Sequence, residues 1–127
     1  MLKLLFIAAG SAVGGVGRYV VSGWAQRLGG GSFPTGTLCV NVVGCFLFGL
    51  LAATFAGPYL IREEYKVALL IGVLGSFTTF STFGYESFAL FSAGQFWLFA
   101  VNVAASNVVG LSGLWLGYRL AERWVGT

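Results

Sequence analysis

This sequence predicts an all-α membrane protein with four crossings, and three observations support that fold. Of its 127 residues, 57% are hydrophobic and 9% charged. A soluble domain carries about 25% charged residues, so this chain lacks the polar groups to cover a surface facing water. Its apolar residues gather into four stretches long enough to cross a bilayer, separated by glycine, proline or charge. Trp24, Trp97 and Trp124 lie near the ends of those stretches, where an aromatic belt belongs.

The first crossing is expected at about residues 4–24, ~31 Å of helix, close to the thickness of a hydrocarbon core. Its start has one lysine and an apolar run, like a signal peptide. The apolar pattern continues to Trp24, longer than a secretory core, so it reads as a retained helix. Gly29-Gly30-Gly31-Ser32 and Pro34 form a loop. The second crossing, about 37–55, ends at Gly57-Pro58, and Arg62-Glu63-Glu64-Tyr65-Lys66 forms an aqueous charge cluster. The third runs about 67–91, Gly94-Gln95 turns the chain, and the fourth covers about 96–116. The whole chain reads as one domain.

Four crossings put both termini on one side, with Lys3, Arg62, Lys66, Arg119 and Arg123. The other side holds Arg27, so the bias favours cytoplasmic termini. A net charge of +3 is too small and dispersed for nucleic acid. Cys39 and Cys45 sit six positions apart on one helix, on largely different faces, and read as small buried residues. The spacings Gly10/Gly14, Gly49/Ala53 and Gly113/Gly117 suit close helix contacts. Four thin helices enclose little space, so at least a dimer is expected.

The sharpest feature is Gly75-Ser76-Phe77-Thr78-Thr79-Phe80-Ser81-Thr82-Phe83, midway along the third crossing. Single hydroxyls in a membrane helix bond back to their own carbonyls. This density instead predicts a break, and irregular backbone at that depth survives only where protein buries it or water reaches it. Freed carbonyls suit a hard cation. A half-helix starting near Ser81 or Thr82 would offer its positive end to an anion.

Phe80 and Phe83 share a face of that half-helix. They either pack in a core or present their electropositive ring edges to an anion. Asn41, on a stripe with Thr37 and Cys45, and Asn102 and Ser106, with Asn107 beside them, read either as interhelical glue or as a neutral polar track. Arg18 either snorkels or draws anions into a vestibule. Glu86, the acid inside a crossing, either hydrogen-bonds, stays protonated or pairs with a cation. With no histidine and no visible nucleophile–base pair, metal cluster or phosphate loop, an enzyme is not expected.

Gly14-Gly15-Val16-Gly17-Arg18-Tyr19, Gly36-Thr37-Leu38-Cys39-Val40-Asn41, and the run Gly75 to Phe83 with Glu86 after it resemble, in order and spacing, the bacterial CrcB/Fluc fluoride channels. The resemblance covers essentially the whole chain. It implies a passive fluoride-selective channel of the bacterial inner membrane. The subunit would form an antiparallel, dual-topology homodimer in lipid, with the third helix broken at mid-membrane and two pores near the subunit interface.

By the same resemblance, Asn41, Phe80, Phe83, Ser81, Thr82 and Ser106 would line the fluoride path, and Arg18 and Glu86 would stand near its entrances. The backbone carbonyls of Gly75 and Thr78 would hold a structural sodium ion (Na+) at the interface. Gly110 stands where some relatives carry a further hydroxyl. The charge bias leaves two readings of insertion open: it is too weak to decide, or one orientation is preferred. The alternative function is a small four-helix proton-coupled exporter, but such proteins rely on an acid in the first helix, where this chain has Arg18.

Overall fold

The computed structural model describes residues 1–126, and its regular structure is entirely helical. Helix α1 spans Leu2–Gly29 and α2 spans Thr35–Ala56. After the charged link, α3 (Glu63–Val67) continues into a π-helical stretch, Ala68–Leu74, and a last turn, α4 (Gly75–Phe77). Two extended residues follow, then α5 (Phe80–Ser92) and α6 (Phe96–Val125). Four units are long and apolar enough to cross a membrane: α1, α2, the stretch Glu63–Ser92 and α6.

The helices outrun their hydrophobic stretches because their ends are satisfied locally. Gln26 Nε2 donates to the Phe33 carbonyl at 3.0 Å, and its Oε1 accepts from Gly36 N–H at 3.0 Å. One side chain therefore closes the α1–α2 link and caps an orphan donor of α2. Lys66 Nζ donates to the Phe55 carbonyl at 3.2 Å, covering the C-terminal end of α2, where a cation is favoured. Gly94 adopts φ 72°. Its N–H bonds Phe91 O at 3.0 Å while Gln95 N–H bonds Leu90 O at 2.9 Å, the paired bonds of a Schellman turn that only glycine adopts cheaply. Phe91 packs edge-on to Phe96 and Phe99 across that turn, with ring centroids 5.2 and 5.5 Å away.

Few large side chains are buried in the core. Val40, Ala53, Leu74, Leu90 and Ala121 are buried, and between them backbones touch through glycine. α1 packs on α2 and on the π-helical stretch, and α2 packs along α6. A methyl on Gly14 would strike the Val73 carbonyl, one on Gly49 the Leu114 carbonyl, and one on Gly117 the Phe46 carbonyl. The small-residue spacings at Gly10/Gly14, Gly49/Ala53 and Gly117 thus serve contacts inside one chain. Most of the large apolar side chains point outward, as a bundle solvated by lipid requires.

Candidate functional site

Helix α4 ends because Thr78 and Thr79 are extended, at φ −84°, ψ 159° and φ −151°, ψ 120°. Two such residues inside an apolar helix leave donors and acceptors without helical partners. Asn41 on α2 supplies two of the missing bonds. Its Oδ1 accepts from Thr79 N–H at 2.8 Å and its Nδ2 donates to Thr79 C=O at 3.0 Å. The carboxamide stands in for a neighbouring strand.

Thr79 N–H is thereby turned away from Gly75 C=O, its partner in an unbroken helix. Thr78 is anchored from the other side, its N–H and Oγ1 both donating to Leu74 O at 3.1 and 2.9 Å. Arg18 Nη1 of α1 reaches the Thr78 carbonyl at 3.4 Å.

The half-helix α5 starts at Phe80, a residue earlier than expected, because the Thr79 side chain caps it. Thr79 Oγ1 accepts from Thr82 N–H at 3.2 Å, donates to Thr82 Oγ1 at 3.1 Å, and lies 3.4 Å from Ser81 Oγ. Sequence reasoning did not single out Thr79. The signal available was its place immediately before a new helix, where Thr is a preferred cap.

Around the break lie three cavities. The first, about 400 Å³, is walled by Asn41, Thr78, Thr79, Phe80, Phe83 and Ser106, among others. The second, about 390 Å³, has Arg18, Thr37, Thr79 and Thr82 in its wall. The third, about 540 Å³, lies by the α1–α2 link and includes Gln26, Thr37, Thr82 and Glu86. Thr79 is common to the first two, and Thr37 and Thr82 to the last two. Four of the expected path residues, Asn41, Phe80, Phe83 and Ser106, therefore share one cavity. Thr82 belongs to the other two, and Ser81 is exposed beside them.

The two rings sit 5.6 Å apart, tilted by 48°. Phe80 is 82% exposed and Phe83 half-buried, so neither ring belongs to a closed core of this chain. Gly75 is exposed as well. Arg18 reaches the break itself. Glu86 Oε2 is buried with no hydrogen-bond partner among the described residues. Asn102, 1% exposed, donates to Ser87 Oγ at 3.0 Å; it joins α6 to α5 and leaves Ser106 and Asn107 as the hydroxyl and amide of α6 on the cavity wall. Gly110 is buried on that same wall, facing Cys45 Sγ. Both cysteines are free.

Comparison with known proteins matches residues 5–118 to a family model described as CrcB-like protein, Camphor Resistance (CrcB). The chain is 47% identical over 122 residues to the fluoride-specific ion channel FluC of Geobacter metallireducens, covering 96% of this chain and 98% of that protein. It is 45% identical to FluC of Geobacter sulfurreducens over 97% of this chain and 99% of the relative, and 42% identical to FluC of Vibrio parahaemolyticus over 93% of each. Four apolar helices and this similarity identify a multi-pass membrane protein.

Proposed function

The chain belongs to the CrcB/FluC family of fluoride ion channels, which are not enzymes, and on that premise we propose that it passively exports fluoride from the bacterial cytoplasm across the inner membrane. One observation carries the reading: Phe80, Phe83, Asn41 and Ser106 wall a single cavity beside the break. That wall holds no acid to repel an anion and no cation to trap it. Hydroxyls, an amide and ring edges can replace part of the hydration of a small anion without holding it too tightly to leave. Arg18 adds a positive charge one cavity away, and the start of α5 adds the positive end of a helix. Hydrogen fluoride enters cells as a neutral acid and dissociates inside, so a passive path lets the anion leave down its electrical gradient.

A single chain does not close this path. Phe80, Ser81, Thr82 and Gly75 are exposed, and hydroxyls facing hydrocarbon are costly. A second copy, antiparallel to the first in the lipid, covers that face and yields two equivalent pores, with the third helix of each subunit interrupted at mid-membrane.

The residues also fit a structural sodium ion. Gly75 C=O has lost its helical donor. Thr78 C=O keeps a lone pair beyond the Arg18 contact. Neutral main-chain oxygens are the donor type a hard monovalent cation takes. Gly75 and Thr78 of two copies would hold it, and its charge would offset the exposed carbonyl dipoles. Efflux from loaded liposomes tests the function: rapid fluoride loss with chloride retained is expected. Fluoride loss coupled stoichiometrically to a proton gradient would favour the exporter instead.

A further inference from the structure

Asn107 is an exposed amide on an apolar membrane helix. It lies eleven residues after Phe96, or ~17 Å along α6, too deep for a short side chain to reach the interface. Its Nδ2 donates to Val103 O at 2.8 Å. That acceptor settles which end of the carboxamide is nitrogen, because a carbonyl accepts only from a donor. The remaining N–H and Oδ1 make no hydrogen bond among the described residues. Facing lipid, such groups are unfavourable by several kcal/mol. Asn107 instead belongs to the wall of the 400 Å³ cavity, with Phe80, Phe83 and, from α2, Asn41.

Asn41 has its oxygen and one of its two amide hydrogens tied to Thr79. Asn107 has its nitrogen anchored by one hydrogen and the other unused. The Val103 bond fixes the rotamer, so the unused N–H is held in place rather than sampling many directions.

Building on the fluoride-channel reading above, we propose that Asn107 is a further anion-contacting residue of the path, donating its free amide N–H to fluoride as the ion passes the two phenylalanine rings. It adds a second neutral amide to the cavity that Asn41 lines, from a different helix. Toward the C-terminal end of α6 the cavity lining is otherwise apolar, with Gly110, Leu111 and Leu114. Asn107 is therefore the group that carries the polar wall past Ser106 toward that end.

Fluoride efflux from liposomes, read with a fluoride electrode, tests this with Asn107→Leu and Asn107→Asp beside the unaltered protein. Leucine keeps the shape and removes the donor. Efflux is expected to fall about tenfold or more, the scale of one hydrogen bond to a charged group, while elution volume and melting temperature stay at the wild-type values. Aspartate keeps the size and adds a negative charge, and efflux is expected to vanish.

Wild-type efflux in Asn107→Leu overturns the assignment. Should the leucine variant fail to assemble, Asn107→Asp decides: blocked efflux in an assembled protein supports the contact, and undiminished efflux overturns it. Loss of assembly in both variants also overturns it, making Asn107 a packing group. Absence of fluoride efflux from the unaltered protein would instead refute the channel reading itself.

Discussion

Asn41 combines two roles that looked like alternatives in the sequence: it is interhelical glue and it stands on the cavity wall. Asn41→Asp keeps an acceptor for Thr79 N–H but sets a carboxylate oxygen against the Thr79 carbonyl. We expect a loss of about 1–3 kcal/mol, seen as a lower melting temperature, together with loss of fluoride efflux. Unchanged melting and efflux would remove Asn41 from both roles. Phe80 separates function from folding, because it is 82% exposed and contributes little burial in its own chain. Phe80→Ile is expected to abolish efflux in a protein that still elutes as wild type, and Phe83→Ile to do the same with a larger stability loss. Wild-type efflux in both would exclude the rings from the path. Asn41 and Ser106 were legible in the sequence as polar residues inside apolar stretches, whereas Phe80 and Phe83 read equally as core packing and were singled out by the family resemblance. Thr79 was not legible, because one threonine among several carries no mark of which will cap and which will extend.

The third crossing shows how its element-scale features depend on neighbours. Extended Thr78 and Thr79 are tenable because α2 brings Asn41 and α1 brings Arg18 to the same point. The preceding π-helical stretch, Ala68–Leu74, was invisible to a hydrophobicity pattern, since Ala-Leu-Leu-Ile-Gly-Val-Leu reads equally as ordinary α-helix. Such wide turns occur frequently at functional sites.

The glycines set helix separation, and their substitutions should sort by contact. Gly49→Ala drives a methyl into the Leu114 carbonyl and is expected to cost about 1–3 kcal/mol. Gly23→Ala meets no atom within 4 Å and is expected to be neutral, or to stabilise by up to ~1 kcal/mol. Thermal melting in detergent distinguishes them; equal melting of the two variants would refute the close-packing account.

At the scale of the whole molecule, the exposed face around Gly75, Phe80, Ser81 and Thr82 is where the proposed second copy would sit. Single cysteines introduced at the exposed ends Leu2 and Trp124, on an otherwise cysteine-free background, should label from both sides of the membrane if subunits insert in opposite orientations. Labelling from one side alone would rule out dual topology and agree with the lysine and arginine bias. If the proposed dimer holds sodium, replacing it with a large organic cation is expected to lower the melting temperature, since freed carbonyls of Gly75 and Thr78 would face one another uncompensated. An unchanged melting temperature would argue against the ion.

Hydrophobic length, the Gly-Gly-Gly and Gly-Pro punctuation and the tryptophans were enough to establish four membrane helices and their order, because lipid forces each crossing to satisfy its own backbone. The hydroxyl-rich run located the interruption for the same reason. Packing in three dimensions decided the rest: that Asn41 and Arg18 meet the interrupted backbone, that Asn102 joins two helices while Asn107 stands on the cavity wall, and that most glycine pairs are used within one chain. Such pairings depend on how neighbouring helices rotate and cross, and residues dozens of positions apart leave no periodic trace of whom they will meet.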